Sequence, residues 1–156
     1  MKIVITGHCG YIGPILIRHC HEQNHEVIGI DTNYFKDLVK EISNEYLPDK
    51  EIISDIRDLK LDYFKNIDGV IHLAALSNDP LGEIASKQTK SINTIATIKC
   101  AELAKKAGVK NFVFSSSCSI YGASQNNSLP LNENSPKNPV SAYALSKVEA
   151  ENELIK

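Results

Sequence analysis

Two groups of residues in this 156-residue chain have types and spacing suited to chemistry. The first is Tyr143-Ala144-Leu145-Ser146-Lys147. On a helix the phenol and the ammonium four residues later share one face. A cation beside a phenol, whose ordinary pKa is about 10, favours the phenolate and makes Tyr143 a usable base near neutrality. The second group is Gly7-His8-Cys9-Gly10-Tyr11-Ile12-Gly13, directly after the apolar Ile3-Val4-Ile5. Glycines at that spacing permit a tight turn and a close backbone approach to a pyrophosphate. A helix opening at Gly13 adds unpaired N–H groups and a positive dipole. Asp31 closes the run Val27-Ile28-Gly29-Ile30, 18 positions after Gly13. A carboxylate there accepts hydrogen bonds from a ribose diol and repels a 2′-phosphate, which favours NAD over NADP.

The elements that must position these groups follow from short apolar runs at Ile3–Ile5, Val27–Ile30, Ile52–Ile53, Val70–Leu73 and Phe112–Phe114. They are too short for helices and do not alternate, as expected of strands buried on both faces. Helical spacing lies between them: Ile12, Ile15, Leu16 and His19 after the first, and residues 84–107 before the last. That order predicts an α/β fold with a parallel sheet of about five strands and helices on both faces. Asn24 and Gly108 read as left-handed helix ends, and a last helix is expected to begin near Ser141. Residues 31–50, with a weak helical patch at Leu38, Val39 and Ile42, and residues 124–139, rich in Asn and Pro, read as loops.

Composition narrows the function classes. The chain carries 17 Lys and Arg against 19 Asp and Glu, and 42% of it is hydrophobic. A net charge of −2 leaves no basic excess for a nucleic acid backbone or an anionic membrane surface, so neither is expected as a partner. No run approaches the roughly 18 apolar residues of a membrane helix, and Met1–Gly7 does not read as a leader. Cys9, Cys20, Cys100 and Cys118 are scattered, as expected of free thiols in a reducing cytoplasm. His19, Cys20, His21 and His25 fall on different sides of a helix and have no second ligand pair, so no metal is expected.

Taken in order, the glycine run, Asp31, Asp55-Ile56-Arg57-Asp58, His72-Leu73-Ala74-Ala75, Asn93, residues 115–122 and the Tyr143–Lys147 pair resemble the cofactor half of the extended short-chain dehydrogenase/reductase family. These are NAD-dependent sugar epimerases and dehydratases. The resemblance implies a doubly wound Rossmann-type domain over residues 1–156 and NAD as cofactor. It implies cofactor contacts from Gly7, Gly10, Tyr11, Ile12, Gly13, Asp31, Asp55, Ile56, Leu73, Ala74, Ala75, Tyr143 and Lys147. It also implies catalytic roles for four residues: Tyr143 moves a proton on a sugar hydroxyl, Lys147 holds the nicotinamide ribose, Ser117 orients the reacting oxygen, and Asn93 acts through backbone and water. Asp58 reads as a helix cap.

Dehydratases of this kind place an Asp-Glu pair after the catalytic hydroxyl residue. Here Cys118 and Ser119 stand there, which favours epimerisation or simple oxidation-reduction of a nucleotide sugar. Family members are roughly twice as long, with a second, substrate-binding domain. The expectation is an absent sixth strand, an exposed fifth-strand edge, and a homo-oligomer or second chain covering it. The helix through Ile84, Ile92, Ile95 and Ile98 reads as core, with a helical dimer contact as the other reading. The alternative function is an NAD-binding module without turnover.

Overall fold

The structure is a computed structural model that describes residues 1–36, 44–122 and 130–156. Strands β1 (Lys2–Thr6), β2 (Glu26–Asp31), β3 (Lys50–Ile53), β4 (Gly69–His72) and β5 (Asn111–Phe114) form one parallel sheet in the order β3-β2-β1-β4-β5. Each expected apolar run is a strand, and β3 and β5 are the edges. β1 is central, with Ile5 opposite Gly29 on one side and Ile71 on the other. Val4 and Ile5 are both fully buried and point to opposite faces, so both faces of this strand are covered.

The chain forms two compact units. One comprises residues 1–74 and 99–115 and contains the whole sheet; the other comprises residues 75–98 and 116–156. In the first, helix α1 (Gly13–Glu22) packs Ile17 and Cys20 against Ile3, Ile5 and Val27. The expected stripe of Ile12, Ile15, Leu16 and His19 is therefore not the buried one. Ile12 and Ile15 are exposed and Leu16 is partly buried; the buried face is Gly13, Pro14, Ile17 and Cys20. Small side chains on that face let the helix approach closely: a Cβ on Gly13 would lie 2.1 Å from the His8 carbonyl oxygen. The helix ends at Asn24, at φ 56° in the left-handed region, as expected.

The expected helix over 84–107 is interrupted. Helix α2 (Asp79–Ile84) and the turn α3 (Ser86–Thr89) lead into a π-helical segment, Lys90–Ala96, which continues as α4 (Thr97–Lys106). Its buried side is small and polar, with Thr89, Asn93, Thr94 and Thr97, while Ile84 and Ile95 are exposed and Ile92 and Ile98 half-buried. The core reading is thus corrected at Ile84 and Ile95, and hydrogen-bonding side chains occupy the close-packed face. Helix α5 (Ala142–Leu154) begins where expected, with the Ser141 hydroxyl accepting from the Ala144 amide at 3.0 Å. The patch at Leu38, Val39 and Ile42 and residues 124–129 of the second loop lie outside the described residues. Among the described residues no helix is long and apolar enough to cross a membrane.

Candidate functional site

The glycine loop is built by β1 ending against its neighbours. The Gly7 amide donates to the Ile30 carbonyl at 2.8 Å, and the Leu73 amide donates to Thr6 at 3.0 Å. Gly7 sits at φ +75°, and a Cβ there would lie 2.6 Å from the Ala74 nitrogen. The packing of Gly7 on Leu73 and Ala74 is therefore backbone on backbone. At Gly10 a Cβ would meet only the Gly7 oxygen, at 3.2 Å. Helix α1 then opens with Ile12 at its cap, which offers no side-chain hydrogen bond, and without an acidic residue in its first turn. An uncapped N-terminus behind an open glycine turn suits a pyrophosphate. Tyr11 stands almost wholly in solvent.

Asp31 lies at the end of β2, half-buried, and braces the loop: Oδ2 accepts from the Cys9 amide at 3.0 Å and Oδ1 from the Asn33 amide at 2.9 Å. Each carboxylate oxygen keeps a lone pair for a ribose hydroxyl. Ile56 is buried. Asp55, not Asp58, caps the short turn Ile56–Asp58. Its Oδ1 accepts from the Arg57 amide at 2.8 Å, and the Arg57 guanidinium grips both oxygens at 3.0 and 2.6 Å. That grip holds the Asp55 carboxyl below the usual carboxylate range. Asp55 wins the cap because its extended backbone precedes the turn, where a side-chain oxygen can reach the second amide.

Tyr143, Lys147, Asn93 and Ser117 all belong to the second unit. On α5 the Lys147 ammonium lies 5.7 Å from the Tyr143 ring centroid, and both side chains are buried. Burial pulls the Lys147 pKa down to about 8, against the opposing charge of Glu151 one turn later. Burial disfavours the Glu151 carboxylate, yet the hydrogen bond from Lys137, at 2.5 Å, and the charges of Lys137 and Lys147 hold its pKa below the usual value. Asn93 is fully buried. Its amide group donates to the Leu76 carbonyl at 3.0 Å and to the Ser146 hydroxyl at 3.2 Å, and its oxygen accepts from the Leu76 amide at 2.9 Å. The Ser117 hydroxyl accepts from the Ser119 amide at 3.2 Å, which leaves its proton to donate.

Several supporting residues escape sequence reasoning. Glu83 accepts from the Ala142 amide at 2.7 Å, Asp79 pairs with the Ser141 hydroxyl, and Gly82 lets α2 approach the Tyr143 backbone, where a Cβ would lie 3.0 Å away. Only Ser141, a capping residue before a helical run, carries a local signal. The histidine cluster is dispersed: His21 pairs with Asp49 at 3.1 Å and His19 with Glu22 at 3.6 Å. All four cysteines are free, and only Cys118 is exposed.

A model of the NAD dependent epimerase/dehydratase family matches residues 3–156. The chain belongs to this family. It is 36% identical over 150 residues to a putative UDP-glucose 4-epimerase of Methanocaldococcus jannaschii, covering 93% of this chain and 47% of that one. Two solved family structures superpose well. The UDP-glucose 4-epimerase of Stenotrophomonas maltophila, with bound NAD and formylated UDP-arabinopyranose, gives a TM-score of 0.89 at 26% identity, over 99% of this chain and 48% of that one. The UDP-N-acetylglucosamine 4-epimerase of Methanobrevibacter ruminantium, in complex with UDP-N-acetylmuramic acid, gives 0.87 at 29% identity, over 99% and 49%. The chain thus spans about half the length of these epimerase relatives.

Proposed function

We propose that the chain binds NAD and serves an epimerase or oxidoreductase acting on a nucleotide sugar, with Tyr143 as its acid and base. The observation that carries this reading is the Lys147 ammonium over the Tyr143 ring, on one buried helix face. Gly7, Gly10 and Gly13, with the N–H groups at Tyr11 and Ile12, hold the pyrophosphate, and Asp31 accepts from the adenosine ribose. Ile56, Leu73, Ala74 and Ala75 line the cofactor, with Asp55 beside the adenine. When bound, NAD supplies a hydride acceptor and donor. Tyr143 takes the proton of the sugar hydroxyl and later returns it. Ser117 donates a hydrogen bond to the same oxygen and orients it. Lys147 stabilises the phenolate and holds the nicotinamide ribose, and Asn93 fixes the segment at Leu76 relative to Ser146 on α5.

A calorimetric NAD titration tests binding, with Asp31→Ala and Gly10→Val expected to weaken it at least tenfold. Turnover of UDP-sugars tests the chemistry, with Tyr143→Phe expected to lose roughly 10²- to 10⁴-fold. NAD binding without conversion of any sugar nucleotide by the wild-type chain sinks the enzyme reading and leaves an NAD-binding module. Self-association, or a second chain on the β5 edge, is part of the proposal; it is supported by half-exposed Val113 on that strand and by exposed Ile84 and Ile95.

A further inference from the structure

We propose that His8, Cys9 and Glu51, with the side-chain oxygen of Asn33, form a binding site for a thiophilic divalent cation of the zinc type. The donors come from three segments of one unit: the glycine loop, the residues after β2, and β3. The ligand atoms of His8, Cys9 and Glu51 lie within 4.8 Å of one another. His8 Nε2 is 3.2 Å from Glu51 Oε1 and 3.4 Å from Cys9 Sγ, and Cys9 Sγ is 3.4 Å from Asn33 Oδ1. A tetrahedral cation with bonds of about 2.0 Å to nitrogen and oxygen and about 2.3 Å to sulfur needs ligand separations of roughly 3.3 to 3.6 Å. The two Cys9 separations fall in that range, and the His8–Glu51 separation is 0.1 Å short of it.

His8 Nε2 faces a carboxylate oxygen and a sulfur together, and one ring proton serves only one of them. The imidazole is 3% exposed, and its Nδ1 has no hydrogen-bond partner among the described residues. The ring lies over Gly29, where a Cβ would come within 2.6 Å of it, so strand β2 has given up a side chain to seat it. A cation at Nε2 takes the ring lone pair, the thiolate and the carboxylate together, with the ring proton held on Nδ1. The thiol proton leaves to solvent as the S–metal bond forms; without a cation, burial with Asp31 and Glu51 holds that thiol up at about 11. Glu51 is oriented from outside by the Lys36 ammonium, 2.5 Å from its other oxygen, and its 27% exposure leaves a way in. A nitrogen, sulfur and oxygen donor set selects zinc-type cations over magnesium or calcium.

Cobalt(II) added to the chain in a metal-free buffer is the test, since it reports tetrahedral thiolate ligation through visible ligand-field bands and a near-ultraviolet sulfur-to-cobalt transition. The expected result is one equivalent bound and displaced by zinc. Cys9→Ser abolishes the sulfur transition, and His8→Gln and Glu51→Gln weaken binding at least tenfold. Cys118→Ser and His21→Gln leave the spectrum unchanged. Zinc raises the melting temperature of the wild type and of Cys118→Ser but not of His8→Gln, a readout that stands even if Cys9→Ser fails to fold. No cobalt bound at a hundred-fold molar excess overturns the site. So does a spectrum that survives His8→Gln, or one lost on Cys118→Ser.

Discussion

Gly7 and Gly108 share a left-handed backbone, at φ +75° and +86°, but differ in what surrounds them. Around Gly108 nothing lies within 4 Å of a built Cβ. Around Gly7 the same atom falls 2.6 Å from the Ala74 nitrogen, 2.7 Å from its Cα and 3.0 Å from the Leu73 carbonyl carbon, all backbone. Gly108→Ala therefore carries only the conformational cost, about 1–2 kcal/mol. Gly7→Ala adds an overlap that no rotamer relieves, worth about 1–3 kcal/mol by analogy with overpacked cores. The total is roughly 2–5 kcal/mol. Gly10→Ala is the control: its Cβ meets only the Gly7 oxygen at 3.2 Å, and the stiffer unfolded chain returns about 0.4–1 kcal/mol. At roughly 2–4 °C per kcal/mol for a chain of this length, Gly108→Ala melts about 2–8 °C low. Gly7→Ala melts about 4–20 °C low, and Gly10→Ala stays near the wild type. Urea unfolding followed by circular dichroism gives the free energies. Equal losses for Gly7→Ala and Gly108→Ala would refute the steric argument, and a loss for Gly10→Ala matching Gly7→Ala would refute both parts.

Three further outcomes follow from the second unit. Lys147 is an ammonium held below its ordinary 10.5, at about 8, so the unfolded chain keeps a proton between those values that the folded chain has lost. Stability then rises with pH across that window, and the cost of the buried charge is full below pH 8. Lys147→Met is expected to gain up to about 3 kcal/mol at pH 7 and nothing near pH 10.5, in paired melts across that range. Asn93→Leu leaves the Leu76 amide and carbonyl and the Ser146 hydroxyl without their partner and is expected to lose roughly 2–5 kcal/mol in urea unfolding. Glu83→Ala uncovers the Ala142 amide at the start of α5; a loss of about 1 kcal/mol is expected, with slower tryptic cleavage than wild type counting against it.

The strands and the helix ends were legible because their signals are local. Buried parallel strands read as apolar runs, Asn24 and Gly108 take left-handed conformations whatever packs nearby, and Ser141 caps from its own side chain. The faces of the helices were not legible. On α1, hydropathy selects Ile12 and Ile15, whereas close approach to the sheet selects Gly13, Pro14 and Cys20, whose small size matters more than their polarity. The π-helical turn through Asn93 was likewise hidden, since its buried amide depends on partners at Leu76 and Ser146, 17 and 53 residues away. The cap at Asp55 was misassigned to Asp58 because both are acidic, and backbone conformation alone distinguishes them.

By itself the amino-acid order determined a parallel α/β sheet, a glycine turn opening a helix, an acidic strand end, and a tyrosine and lysine on one helix face. Each of these rests on periodicity or on the backbone freedom of single residues. The tertiary structure alone decided that Lys147 is buried enough to lose charge near pH 8, because desolvation depends on everything that surrounds it. It alone brought Glu51 from β3 to His8 and Cys9, a meeting of residues 43 positions apart that follows from β1 and β3 pairing to opposite sides of β2.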